Sequence, residues 1–489
     1  MKIVEPSQHL SLDNYAAHAH LRASVVALQA DAEQHVRALR DRTIWMLNST
    51  AQGGGVAELL PAQISLLQQL GLDVRWAVLE TENADFFKFT KRLHNLVHGA
   101  PEALPTNDDR ELYEAVNRSE AEAFARLAKP GDLLVVHDPQ PLALGAVVKK
   151  QLGLRCIWRC HIGVDEETPG TRAAWTFMRP YAEQYDATVF SVADYIPAYL
   201  RDRSLVIHPS IDPLSHKNRD LSLHKLVGVL GCSDLVEAHW PLMCPPFPQP
   251  ARRLQADGSL RPATTPEDFG LLARPIITQV SRWDRLKGFA PLLDAFVQLK
   301  IGNHAALRDE RHGRRLRIVR LVLAGADPDS IADDPEAHAV FAELRAKYCA
   351  LSPEVQQDIA IIALPIESRK NNALMVNALQ RAADIIVQNS LREGFGLTVA
   401  EGMWKRSAVL GSAAACGVRL QVRDGMDGRL INNPENVSEL TEAMVEMLAD
   451  PTRLEEYGRN AQYRVHDQFL IFSELRQWLG VFNSATFRK

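Results

Sequence analysis

From Thr43 onward the chain alternates two apolar patterns. Short continuous apolar runs, "TIWML", "DVRWAVL", "DLLVVHD", "RCIWRCHI", "ATVFSV" and "SLVIHPSI", read as strands covered on both faces. Between them apolar residues recur three and four apart, as in "LALGAVVKKQL" and "RAAWTFMRPYAEQY", and predict helices. Residues 1 to about 40 read as a polar, mostly helical leader. The proline-rich stretch Trp240–Gly270 interrupts the alternation and places a domain boundary near residue 248. Strand-like runs then resume with "PIITQVS", "RIVRLVLAG", "DIAIIAL", "ADIIVQNS", "AVLGSA" and "GRLIN", separated by helical patterns such as "FAPLLDAFVQL" and "NNALMVNALQRA". Strands bounded by helices imply right-handed crossovers and parallel sheets. The pattern therefore predicts an α/β protein of two doubly wound, Rossmann-like domains, residues 1–248 and 249–469, facing a deep cleft.

Composition narrows the function. A chain of 489 residues is too long for one core, and 46% hydrophobic with 24% charged residues is ordinary for a globular protein. A net charge of −5 lacks the basic surplus of a nucleic-acid binder. No apolar run approaches the ~18 residues of a membrane helix, and "MKIVEPSQHL" lacks a signal-peptide core, so a cytoplasmic protein with no membrane partner is expected. The six cysteines are scattered; Cys156 and Cys160 lie on one predicted strand, a poor zinc clamp, and all six are expected as free thiols.

Candidate chemistry begins at "NSTAQGGGVAELL" (Asn48–Leu60), where glycines stand between a strand and a helix. A dinucleotide fingerprint needs a third glycine where Glu58 stands. A phosphate-binding P-loop needs Gly-Lys-Ser/Thr where Gly55, Val56 and Ala57 stand. What survives is backbone N–H of Gly53, Gly54 and Gly55 near an anion or sugar at a helix N-terminus, or a tight turn of positive φ. In the second half, Arg282 and Lys287 follow a strand end in "SRWDRLKG", two cations suited to a diphosphate. "REGFGLTVAEGM" follows another strand and holds Glu393 and Glu401 with seven residues between them. Asp138 and His161 also end strands. Asp327 and Asp329 raise a metal site, but a strand-end turn explains them as well and is preferred.

Arg282, Lys287, Glu393 and Glu401 together resemble the donor site of retaining GT-B glycosyltransferases of family 4. "VHDPQPLAL" (Val136–Leu144), "WRCHIG" (Trp158–Gly163), "PSIDPLSHKN" (Pro209–Asn218) and the stretches above resemble the trehalose-synthesising glycosyltransferases, from about Thr43 to about residue 450. The resemblance implies transfer of glucose from a nucleotide diphosphate glucose (uridine, adenosine or guanosine) to glucose, with retention, giving α,α-trehalose. It implies that Arg282 and Lys287 hold the diphosphate, that Glu393 meets the sugar hydroxyls, and that Glu401 binds the ribose. Gly54, Gly55, Gly394, Phe395, Gly396, Leu397 and Thr398 would complete the donor site, with the base near the backbone of Leu364. Asn48, Asp138 and His161 would face the acceptor, His161 also serving the transferring centre. His137 and Glu58 are further contacts, no metal or cofactor is required, and homodimerisation is left open. The final segment, residues 470–489, would cross back onto the first domain. One position departs from the family: Gly163 stands where many members carry an aspartate, with Asp165 as the candidate substitute. A trehalose phosphorylase and a non-catalytic sugar-nucleotide sensor are the rival readings. Front-face attack, in which the leaving phosphate oxygen takes the acceptor's proton, is favoured over a carboxylate nucleophile.

Overall fold

A computed structural model describes the chain except residues 7–9, 52–54, 266, 303–308, 331–334 and 488–489. It divides into two compact units, Met1–Asp212 with Gln468–Lys489, and Pro213–Asp467.

The first unit holds a seven-stranded sheet built from β1 (Lys2–Val4), β2 (Thr43–Asn48), β3 (Asp73–Val78), β4 (Leu133–His137), β5 (Arg155–Cys160), β6 (Ala187–Phe190) and β7 (Ser204–Val206), in the order β1-β3-β2-β4-β5-β6-β7. All neighbours run parallel except β1, which pairs antiparallel with β3. Strands β2, β4, β5 and β6 are buried almost throughout, which is why they read as unbroken apolar runs. The strand order reverses between β2 and β4, and ligands of such sheets bind beyond the strand C-termini at that switch. The leader is not wholly helical: β1 opens it, ahead of helices Leu12–Ala16 and Arg22–Leu39. The C-terminal helix Ile471–Phe487 packs on Arg22–Leu39. It buries Ile471, Phe472, Leu475, Trp478, Leu479 and Phe482, an apolar stripe at helical spacing. A bridge between Ile211 and Leu470 joins the chain's exit from this unit to its return.

The second unit holds β8 (Arg252–Leu254), β9 (Leu260–Pro262), β10 (Ile276–Val280), β11 (Arg320–Ala326), β12 (Ile359–Leu364), β13 (Ile385–Gln388), β14 (Ala408–Ser412) and β15 (Gly428–Ile431), ordered β15-β14-β13-β10-β11-β12-β8-β9. The strands from β10 to β15 pair in parallel, while β8 pairs antiparallel with β12 and β9. Here the order reverses between β10 and β13. The boundary expected near residue 248 lies instead at Asp212. The helix Leu223–Cys232 packs on Arg369–Arg381, and Val229, Leu230, Leu235 and Val236 share a core with Ile276, Val322 and Ile362. The proline-rich stretch breaks the periodicity without being a linker, because it is laid onto this unit and carries β8 and β9. Among the described residues no helix is long and apolar enough to cross a membrane.

Candidate functional site

In the second unit, β10 and β13 end side by side at the switch point, and the turns that follow bring Lys287 and Glu393 together. The Lys287 ammonium forms an ion pair with Glu393 Oε2, the two side chains being 11% and 16% exposed. Gln388 Nε2 and Ser390 Oγ lie 3.3 Å from the same oxygen and donate to it. The turns are tied across the two strands. Gln279 Nε2 donates to the Lys287 carbonyl (2.7 Å), Asn389 N–H donates to Gln279 Oε1 (3.0 Å), and Asn389 Nδ2 donates to the Gly288 carbonyl (2.9 Å). A Cβ on Gly288 would sit 2.1 Å from the Asn389 carbonyl oxygen, so only glycine allows this approach.

Two helices start from these turns, Phe289–Ile301 behind Gly288 and Leu397–Trp404 behind Gly396. Both N-cap residues are left-handed glycines (φ +61° and +81°), which supply no capping side chain. Their first-turn N–H groups, Leu397 and Thr398 among them, sit at the positive ends of two helix dipoles beside an ammonium group. Phe395 is buried, and Gln421 Nε2 anchors the turn by donating to the carbonyls of Phe395 and Gly396. The turn residues Glu393, Gly394, Leu397 and Thr398 are half-buried. Arg282 stays outside the pair. It is 78% exposed, and its guanidinium lies 3.6 Å from Asp284.

Glu401 is buried in its helix, with Oε1 3.4 Å from Lys217 Nζ. Four residues on, Lys405 Nζ donates to the Glu401 carbonyl (3.0 Å) and to Asn218 Oδ1 (3.2 Å). Burial lowers Lys405 to about 7 against the pull of the Glu401 carboxylate. Asn377 Nδ2 in turn holds the carbonyls of His216 and Arg219 (3.0 and 2.9 Å), fixing the loop that carries Lys217. In the sequence the four-residue spacing of Glu401 and Lys405 is visible, whereas Lys217 carries no such signal. Leu364 ends β12, buried, and its carbonyl already accepts from Asp327 N–H (2.8 Å). Arg252 bridges both acids of the Asp327–Asp329 turn, at 2.6 Å to Asp327 Oδ1 and 2.8 Å to Asp329 Oδ2. The carboxylates are thus engaged by a cation of the protein itself.

In the first unit, Asp138 follows β4 with φ +63°. Its Oδ1 accepts from His161 N–H (2.8 Å), its N–H donates to the Arg159 carbonyl (2.8 Å), and its carbonyl accepts from Trp158 Nε1 (3.0 Å). Asp138 therefore locks the end of β4 to the end of β5. Burial pushes its carboxyl up to about 6, against the opposing His161 N–H and the Arg159 charge. His161 Nε2 lies 3.0 Å from His137 Nδ1, with the two rings stacked. Burial and then the Arg159 cation lower His161 well below an ordinary histidine and His137 to about 3, so both rings are neutral near pH 7. His137 Nε2 is buried with no hydrogen-bond partner among the described residues. A buried bare nitrogen is tolerated better than a buried orphan N–H. This favours the proton on His137 Nδ1, donated to His161 Nε2, which leaves His161 Nδ1–H as a donor.

Arg159 is fully buried, and none of its three guanidinium nitrogens has a hydrogen-bond partner among the described residues. Its counter-charges are Glu474, from the C-terminal helix, and Asp138. Glu474 lies far from Arg159 along the chain, so no local sequence pattern links the two.

Asn48 is tied into the fold at both ends of its amide: its Nδ2 donates to the Thr50 carbonyl (2.7 Å) and its Oδ1 accepts from Trp76 Nε1 (2.8 Å), which leaves one N–H and one lone pair of the amide uncommitted by these two bonds. Gly163 is explained by Tyr195, since a Cβ on Gly163 would lie 2.4 Å from the Tyr195 ring. The aromatic side chain fills the space an aspartate needs, and Asp165 is exposed. Gly53 and Gly54 lie outside the described residues, Gly55 opens the helix Gly55–Gln69, and Glu58 is exposed in its first turn.

Residues 46–197 match the family model described as trehalose synthase, N-terminal domain, and residues 364–464 match glycosyl transferases group 1. The chain is 33% identical to a trehalose synthase of Thermococcus litoralis over 94% of this chain and 93% of that one. It is 23% identical to a trehalose phosphorylase of Pleurotus pulmonarius over 89% of this chain and 56% of the relative. Among solved structures, an α,α-trehalose-phosphate synthase (UDP-forming) of Burkholderia vietnamiensis superimposes with a TM-score of 0.63 at 15% identity, covering 91% of this chain and 99% of that one. Its likeness establishes the GT-B fold.

Proposed function

Since the chain belongs to the trehalose synthase family of glycosyltransferases and is a hexosyltransferase of trehalose metabolism, we propose that it moves glucose from a nucleotide diphosphate glucose to free glucose, giving α,α-trehalose with retention. One observation carries the donor side: the Lys287–Glu393 pair lies in the turns that lead into two helix N-termini with glycine N-caps, at the switch point of the second sheet. An anion with a sugar attached suits that arrangement. The diphosphate takes the ammonium and the N–H groups, and the carboxylate takes hydroxyls of the transferred glucose.

The chemistry follows from charge. As the C1–O bond to the diphosphate breaks, negative charge grows on the departing phosphate oxygen while C1 becomes oxocarbenium-like. Lys287, the two helix dipoles and the exposed Arg282 stabilise that growing charge. Arg282 is 78% exposed, so its side chain is open to ligand. Glu401, held through Lys217, accepts from the ribose hydroxyls. The acceptor hydroxyl attacks the face that the phosphate leaves, and the phosphate oxygen takes its proton. On the first unit, His161 donates its remaining N–H to a sugar oxygen, and Asp138 holds the His161 backbone in place.

The test is direct. The purified protein is incubated with glucose and UDP-, ADP- or GDP-glucose in separate reactions, and trehalose and free nucleotide are separated by chromatography. Trehalose and nucleoside diphosphate in equal amounts from at least one donor is the expected result. No trehalose from any donor, with trehalose cleaved in orthophosphate alone, would replace the transferase by a phosphorylase, the activity named for the Pleurotus relative.

A further inference from the structure

The helix Leu223–Cys232 lies beneath the proline-rich stretch. Two glycines let the stretch lie directly on it. A Cβ on Gly228 would sit 3.2 Å from Cys244 Sγ, and one on Gly231 would sit 2.9 Å from Leu242 Cδ1. Backbone hydrogen bonds extend the attachment, from Phe247 N–H to the Cys232 carbonyl (3.1 Å) and from Ala251 N–H to the Ser233 carbonyl (2.9 Å). At the centre, Cys244 S–H points at Cys232 Sγ at 2.9 Å, and Cys232 S–H donates to the Cys244 carbonyl at 3.1 Å. The two cysteines are twelve positions apart, and both are free thiols. Cys232 is buried while Cys244 is half-exposed. Among the described residues no third His, Cys, Asp or Glu joins them in a metal-binding group.

We propose that Cys232 and Cys244 are a dithiol oxidation site, closed to an intramolecular disulfide by a hydroperoxide. The geometry assigns the order of events. The accessible Cys244 thiol attacks the peroxide, one oxygen is transferred to its sulfur, and a sulfenic acid and one water result. Cys232 sulfur then attacks the Cys244 sulfur, the S–O bond breaks, and hydroxide leaves with the Cys232 proton as a second water. In sum, two thiols and one hydrogen peroxide give one disulfide and two waters. The sulfurs need approach by less than an ångström to reach the ~2.05 Å of a bond. Burial raises the Cys232 thiol above an ordinary cysteine, so ring closure is slow at neutral pH and accelerates as pH rises. The product is a covalent staple between the proline-rich stretch and the helix, reversed by a dithiol reductant.

The full-length protein is treated with one to five equivalents of hydrogen peroxide, alkylated under denaturing conditions, digested and analysed by mass spectrometry. The expected result is a linked peptide pair containing Cys232 and Cys244, lighter by two hydrogens and lost on addition of dithiothreitol. Titratable thiols should fall from six to four. Cys244→Ser, on the half-exposed stretch, keeps the helix intact and should lower the loss of thiols at least tenfold. The exposed Cys349 is the internal competitor. Oxidation of Cys349 ahead of Cys244, or Cys244 carried on to sulfinic acid with no linked peptide, overturns the proposal.

Discussion

Replacing Lys287 by alanine isolates the charge that the second sheet aims at the donor. The ammonium lies against Glu393, and both side chains are largely shielded, so solvent screens them weakly. Two unit charges about 4 Å apart at an effective dielectric of about 20 interact by ~4 kcal/mol. If the leaving phosphate has gained half a charge at the transition state, the lost stabilisation is ~2 kcal/mol, and for a full charge it is ~4 kcal/mol. Turnover should therefore fall by a factor between about 30 and about 1,000. The fold should survive, because Glu393 keeps its hydrogen bonds from Gln388 and Ser390. The assay is nucleotide release at saturating donor and acceptor, with thermal unfolding measured in parallel. A Lys287→Ala protein within threefold of wild-type kcat refutes the assignment. So does a loss of activity that follows only a loss of folded protein.

Three further outcomes test the surrounding structure. Lys405 sits near 7 when folded against 10.5 for an unperturbed lysine. Between those values the unfolded chain alone holds the proton, so stability should rise with pH through that window, by about 3 kcal/mol at most from pH 7 to 9.5. Lys405→Met should flatten this rise in denaturant unfolding, and an unchanged slope would show that Lys405 is charged throughout. Gly163→Asp should cost about 1–3 kcal/mol by collision with Tyr195, partly recovered by adding Tyr195→Ala; an unshifted Tm would contradict the contact. Glu474→Ala should cost about 3–5 kcal/mol, because it leaves the Arg159 cation buried without its principal counter-charge. Adding Arg159→Met should recover much of that loss, and strictly additive effects in the double variant would argue that the two charges do not interact.

The central strands were legible because parallel strands covered on both faces must be largely apolar, as residues 133–136 and Ile359–Leu364 are. Strands β1, β8 and β9 escaped because each spans three residues and two of them carry exposed positions. The unit boundary escaped for a related reason. Proline removes periodicity whether a segment links two bodies or lies flat on one, and only packing tells these apart. Lys287 and Glu393 were readable as strand-end residues, and the sheet order made them neighbours. The hydrogen bonds of Asn48 to Thr50 and Trp76 were not readable, because a strand-end position is shared by ligand contacts and by amides that close a turn. Lys217, Arg159 and Glu474 could not be read, since each depends on a partner brought near only by the finished fold.

The return of the chain to its first unit bears on how the protein matures on the ribosome. N-terminal domains generally complete themselves while later ones are still being made. This one cannot, because Ser210 and the buried guanidinium of Arg159 both wait for Glu474, which is 264 positions beyond Ser210. Tyr15, near the start of the chain, meets Phe472 ring to edge at 5.2 Å, so even the earliest residues find a final partner among the last. The nascent chain must carry an unclosed first core through the whole synthesis of the second unit. A product cut short before the C-terminal helix is thus an unfinished first core with a stranded cation, a client for chaperones and proteases.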